Sequence, residues 1–203
     1  MEENWERPPR LELSLGQLNQ LIAPAFPGRS IAEHTLLNTG LANTNFRFRL
    51  QGDDAEYVLR LHLRDRAAAR RELALMTYLS QSSAPVIPVP TLVYSAPEPE
   101  QGAPPYSIWG FVEGTLLQEL FRTLPPAELV QIAGECGRVL AALSAHRFPR
   151  CGEFGPSLEI AQEYGRPSAF VPSAIHRALF DGRAGSRLGP ALRDELWRAV
   201  ERW

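Results

Sequence analysis

Lysine is absent from this chain of 203 residues, and all 21 basic side chains are arginine. Any site that needs a cation must therefore build it from a guanidinium, which is planar, always charged and suited to bidentate contact with oxyanions. The net charge of −2 excludes a general electrostatic case for binding nucleic acid or an anionic membrane. The one dense arginine run, Arg64, Arg66, Arg70 and Arg71, reads as a solvated helix face. No aromatic residues interleave it, as base stacking would need. Cysteine is scarce too. Cys136 and Cys151 lack a CxxC spacing and a nearby His pair, which argues against a zinc site. Two free thiols in a reducing cytoplasm are the plainer reading, and a disulfide is the alternative. No apolar run approaches the ~18 residues that a membrane span requires. The opening MEENWERPPR is polar and lacks the apolar core of a signal peptide. The expectation is a cytoplasmic protein without membrane or nucleic-acid partners.

What is present is ordinary globular composition, 44% hydrophobic and 22% charged, with patterning that changes along the chain. Ser14–Ala25 reads as a short helix: Ser14 can cap it, and Leu15, Leu18, Leu21 and Ile22 fall at helical spacing. Ser30–Asn38 is strand-like. Asn38–Asn45 is rich in turn residues. Phe46, Phe48 and Leu50 then alternate with Arg47 and Arg49, and after a Gly52-Asp53-Asp54 turn Leu59, Leu61 and Leu63 alternate with Val58, Arg60 and His62. Period-2 alternation across a short turn predicts an antiparallel hairpin. Arg66–Ser80 reads as a helix with Leu73, Met76, Tyr78 and Leu79 on its apolar side. Strands follow at Leu92–Tyr94 and Tyr106–Val112, separated by the Pro-rich acidic loop Ala96–Pro105. Beyond Gly114 helices take over, at Leu116–Phe121, Pro126–His146 and Pro190–Trp203, with a mixed stretch at Cys151–Gly189. The fold class is α+β, with a sheet-rich front and a helical back. The composition shift divides the chain into 1–112 and 113–203.

Phosphoryl chemistry needs three parts from such a front: a backbone turn over the phosphates, a strand cation to meet them, and a helix carboxylate to hold the cation. The chain offers them in order. Gly40–Asn45 is the turn, Arg60 sits mid-strand, and Glu72 follows on the helix. Each has a plainer reading. Gly40 can be a hairpin glycine, Asn43 and Asn45 turn residues, and Arg60–Glu72 a structural ion pair. His146 closes or packs the end of its helix, and His34 and His176 show no partner in the sequence. His62-Leu63-Arg64-Asp65 reads as surface.

Gly40-Leu41-Ala42-Asn43-Thr44-Asn45-Phe46 resembles the G-x-x-N-x-x-aromatic turn of the aminoglycoside-phosphotransferase family. Tyr57–Leu61 is similar to that family's third strand, Arg71–Leu75 to its helix with the partner Glu, and Pro88-Val89-Pro90 to the entry of its fourth strand. Tyr106–Gly114 resembles its interlobe hinge. Leu140–His146 and Phe148–Leu158 resemble later segments. The resemblance implies a protein-kinase-like N-lobe, an antiparallel sheet plus helix, followed by the first helices of a helical C-lobe. It implies ATP as the nucleotide and a small hydroxylated acceptor. The nucleotide-binding residues it implies are Gly40, Asn43, Val58, Arg60, Glu72, Trp109, Phe111 and Val112, with hinge backbone from Ile108 to Val112 meeting the adenine edge. The family's His-x-Asp loop with an Asn five residues on, and its metal-binding Asp, have no counterpart here. The expectation is a front part that stops short of the catalytic loop and is inactive alone. It has no catalytic or metal residues of its own, so Mg²⁺ would need the other half. Two alternatives stay open: a non-catalytic nucleotide- or partner-binding module, and a truncated product without function.

Overall fold

Alternation decides the sheet. In Asn43–Leu50 every second side chain is buried, so Thr44, Phe46, Phe48 and Leu50 go inward while Asn45, Arg47 and Arg49 stay half-exposed. Glu56–His62 repeats the pattern with Leu59 and Leu61 inward. The computed structural model describes residues 11–37, 43–81, 87–99 and 102–202. It divides into two compact units, Met1–Arg147 and Phe148–Trp203.

The first unit is built on a five-stranded antiparallel sheet. Its strands are β1 (Ile31–Leu37), β2 (Asn43–Leu50), β3 (Glu56–His62), β4 (Leu92–Ala96) and β5 (Tyr106–Gly110), in the order β1-β2-β3-β5-β4. β3 is therefore central. Arg60 lies opposite Asn45 on one neighbour and Ser107 on the other. Val58 lies opposite Arg47 and Trp109. Side chains at opposed positions share a face, so one face carries Phe46, Phe48, Leu50, Leu59, Leu61, Tyr106 and Ile108. These form the core together with Ile31 and with Leu18 and Ile22 of helix α1 (Leu15–Ile22). Each buried aliphatic or aromatic side chain contributes roughly 1.5–3 kcal/mol from water exclusion. α1 begins where Ser14 and Gln17 cap each other: the Gln17 amide donates to Ser14 Oγ at 3.3 Å and the Ser14 amide to Gln17 Oε1 at 2.9 Å. Asn19 Oδ1 then accepts the Ile31 amide at 2.9 Å and ties the helix to β1.

The hairpin, the α+β class and the helix after β3 are as expected; several boundaries differ. Asn43, Thr44 and Asn45 belong to β2 rather than to a turn, because they pair in register with His62, Leu61 and Arg60. β5 ends at Gly110, not Val112. Its partner β3 begins at Glu56, so only the Phe111 amide reaches across, to the Glu56 carbonyl at 2.9 Å. Helix α2 spans Ala68–Gln81 and buries only Ala69 fully. Leu73, expected on its apolar side, is exposed. Glu72 is the α2 side chain that reaches the sheet, at Arg60. α3 (Leu117–Thr123) and α4 (Pro126–Ala145) complete the unit, and neither contains a fully buried side chain. His146 caps α4, and its Nδ1 lies 3.2 Å from the Tyr78 hydroxyl, a packing role for that histidine.

The second unit resolves the mixed stretch. β6 (Gly152–Phe154) and β7 (Ile160–Glu163) pair antiparallel, and Arg150 bonds Glu163 at 3.0 Å. α5 (Pro167–His176) runs into a π-helical turn over Arg177–Asp181, followed by α6 (Arg183–Leu188) and α7 (Pro190–Glu201). The π turn buries Leu179 and sets His176 and Phe180 around Trp197, with ring centroids 4.9 and 5.9 Å away. His176, which shows no partner in the sequence, thus belongs to an aromatic cluster. Cys136 and Cys151 are both free and exposed. Among the described residues no helix is long and apolar enough to cross a membrane.

Candidate functional site

The other face of the central strands is polar, and α2 lies over it. Arg60 is held mid-strand by pairing on both sides, and Glu72 rises from α2 to meet it: Nη1 donates to Oε1 at 2.9 Å. The Arg60 Nε points at Asn45 Oδ1, 3.4 Å away, and its guanidinium carbon sits 5.8 Å from the Trp109 ring centre. Nη2 has no hydrogen bond among the described residues. The two side chains are 37% and 27% exposed. A pair so open to solvent stabilises the fold by only ~0–1 kcal/mol. Its significance is positional: the cation is held through Nη1 by Glu72 and through Nε by Asn45, with Nη2 left over among the described residues.

Behind Glu72 the face becomes dry. Ser107 and His62 are fully buried and Trp109 nearly so. Trp109 Nε1 donates to Ser107 Oγ at 2.8 Å, and His62 Nε2 lies 3.2 Å from the same oxygen. Ser107 Oγ in turn is 3.5 Å from Glu72 Oε2, a long bond, and His62 Nε2 is 3.7 Å from it. Burial pushes the His62 imidazolium pKa below its usual value; the Glu72 carboxylate opposes the shift, and Arg60 adds to it. His62 was expected on the surface. It is the most enclosed polar side chain of this face, because its strand position pairs it with β2 while β5 and α2 close over it.

Of the residues expected to meet a nucleotide, Arg60, Glu72 and Trp109 come together. Val58 is half-buried beside Trp109 in the ladder. Phe111 stands just past β5 with the Arg47 guanidinium 4.1 Å over its ring, while Arg47 also pairs with Glu56. Val112 is exposed, and Asn43 opens β2 opposite His62. Gly40 lies outside the described residues. Asn45, expected as the last residue of the phosphate turn, enters the cluster from β2 instead, and Ser107 and His62 join it without a signal in the sequence. Among the described residues no three His, Cys, Asp or Glu side chains gather as a metal site.

The model of the phosphotransferase enzyme family matches residues 33–203. No curated protein matches the sequence. Among solved structures, a GDP complex of an aminoglycoside 2'-phosphotransferase-IIIa mutant aligns over 93% of this chain and 58% of its own, with a TM-score of 0.65 at 19% identity. The GDP and kanamycin complex of APH(2")-IIIa aligns over 92% and 58%, with a TM-score of 0.62 at 17% identity. A thermostable mutant of aminoglycoside phosphotransferase APH(4)-Ia, with ADP and hygromycin B, aligns over 91% and 60%, with a TM-score of 0.56 at 19% identity. At such identities the likeness speaks for the fold alone, which is kinase-like. The chain spans about three-fifths of these neighbours' length.

Proposed function

The chain belongs to the phosphotransferase enzyme family, and from that premise we propose that it is the nucleotide-binding part of an ATP-dependent small-molecule kinase. The observation that carries the reading is the Arg60–Glu72 pair, 2.9 Å apart on β3 and α2, with the guanidinium half-open and Nη2 uncommitted among the described residues. Arg60 takes the α- and β-phosphates, and Glu72 keeps it in place. The Gly40 turn and Asn43 cover the phosphates. Val58, Trp109, Phe111 and Val112 line the base, and backbone between Ile108 and Val112 meets its edge. The two lobes meet at 112/113. The acceptor is a small hydroxylated molecule, and the protein works in the cytoplasm. The neighbours named above include GDP, ADP, kanamycin and hygromycin B complexes, which supports a purine nucleotide and a polyhydroxylated acceptor class.

The chain holds no His-x-Asp loop, and a positioned base and metal supply much of the barrier lowering in phosphoryl transfer. Alone it therefore binds nucleotide without transferring phosphate. Calorimetry on the 203-residue chain tests this with ADP, GDP and adenosine. We expect ADP to bind with Kd of ~0.1–1 mM, about 4–5.5 kcal/mol, and more tightly than adenosine. Arg60→Ala should weaken ADP by about 1–3 kcal/mol and leave adenosine nearly untouched. Equal binding of ADP to the folded Arg60→Ala protein would return the pair to a structural role. Acceptor-dependent ATP turnover by the purified chain would overturn the inactive reading.

A further inference from the structure

Glu72 has two carboxylate oxygens, and only Oε1 meets the cation. Oε2 turns inward to Ser107 Oγ at 3.5 Å. On the reading of Arg60 as the phosphate cation, we propose that Ser107 is the positioning residue of the pair, its hydroxyl aimed at Glu72 by His62 and Trp109.

Donor accounting fixes the direction of each bond. A serine hydroxyl has one hydrogen and two lone pairs. The Trp109 indole can only donate, so it takes one lone pair at 2.8 Å. If His62 also donates, through Nε2–H at 3.2 Å, both lone pairs are filled. The hydroxyl hydrogen is then left for Glu72 Oε2, the one acceptor remaining in reach among the described residues. If His62 instead accepted at Nε2, the hydroxyl hydrogen would turn to the ring and Oε2 would lose its partner. The other ring nitrogen settles which is favourable. Nδ1 is buried with no partner among the described residues. In the first arrangement it is a bare lone pair; in the second it is a buried N–H with no acceptor among the described residues, and an orphaned buried N–H is the less tolerated of the two. A protonated ring would carry that same orphan N–H. His62 is thus the neutral Nε2–H tautomer. The charged groups that act on it are Glu72 from α2, Arg60 on its own strand and Asp65 just beyond, and Ser107 faces it from β5.

The consequence is a continuous chain from the hinge strand to the cation: Trp109, Ser107, Glu72, Arg60. Trp109 and Ser107 are two residues apart on β5 and project from one face, so a displacement of the hinge strand moves the anchor of Glu72 with it. In this arrangement the contact with the base and the contact with the phosphates share one hydrogen-bonded frame.

The test uses the full chain and two readouts. Imidazole ¹⁵N NMR should find His62 as the neutral Nε2–H tautomer at pH 7; an Nδ1–H tautomer would overturn the proposal without any nucleotide. Calorimetry should show the ADP-over-adenosine preference falling about three- to tenfold in Ser107→Ala. His62→Gln, whose amide nitrogen can donate from the position of Nε2, should retain most of it. If wild type prefers ADP and Ser107→Ala does equally well, Ser107 positions nothing and only this inference falls. If wild type shows no preference for ADP, the phosphate role of Arg60 falls and this inference with it. If Ser107→Ala fails to fold, the tautomer measurement and the His62→Gln preference decide.

Discussion

The two faces of the sheet are made by the same strands and are opposite in character. One side of β2, β3 and β5 presents Phe46, Phe48, Leu59, Leu61 and Ile108, all buried and all apolar. The other presents Asn45, Arg47, Arg60, His62, Ser107 and Trp109, joined by directional bonds. The apolar face is stabilised by excluded area, which is forgiving of direction. The polar face adds little net stability, since its ion pairs are half-exposed, but every bond in it points somewhere. A period of two lets a single hairpin serve stability on one side and recognition on the other without either compromising its neighbour.

The comparison breaks most visibly at Phe48. It is fully buried, stacked on Tyr57 at 5.5 Å and edge-on to Phe26 at 6.2 Å. Phe48→Ala should cost about 3–5 kcal/mol in urea denaturation, far more than any single change on the polar face. A loss below ~1 kcal/mol would mean the apolar face does not hold the unit together. Next comes alkaline titration. Burial, with Tyr94 beside it, pushes the Tyr106 phenol up to about 12 from its usual 10.0. The folded state keeps that proton while the unfolded chain begins to lose it near pH 10. This contribution is therefore fully present below pH 10 and is lost between pH 10 and about 12. Tyr106→Phe should flatten the melting-temperature profile in that window, and an unchanged slope would put the ionisation elsewhere. The smallest effect belongs to the polar face. A double-mutant cycle on Arg60 and Glu72 should give a coupling of about 0.2–1 kcal/mol in stability, shrinking with salt. A coupling above ~2 kcal/mol would make the pair a fold element after all.

The apolar face was legible because hydrophobic alternation is a local signal: Phe46, Phe48 and Leu50, then Leu59 and Leu61, declare their strands within five residues each. Arg60 and Glu72 were legible through spacing, strand then helix, and the structure sets them 2.9 Å apart. The α1 cap could be read from Ser14. The buried half of the site could not. His62 precedes Leu63-Arg64-Asp65 and looks like the end of a strand running into solvent. What buries it is β5, whose Ser107 stands 45 positions away. Only the β3–β5 register brings the two together, and neither residue carries a pattern that announces the other. The limits of β5 were misjudged for a similar reason. Tyr106–Val112 is apolar apart from Ser107 and Gly110, but a strand lasts only as long as its partner, and β3 starts at Glu56. The π turn at Arg177–Asp181 was equally invisible, since one extra residue in a helical turn leaves hydrophobic spacing almost unchanged.

Arginine at position 60 also sets which reagents can report on the site. Acyl-phosphate nucleotide analogues mark a cation site by transferring their acyl group to a side-chain amine, and this chain has no lysine to receive it. A guanidinium is not acylated under those conditions, but it condenses with dicarbonyls such as phenylglyoxal, and Arg60 is open enough to be reached. A guanidinium is always charged, so such a cation sets no alkaline limit of its own within the range where the protein folds. A lysine in the same place would begin to lose its proton near pH 10.4.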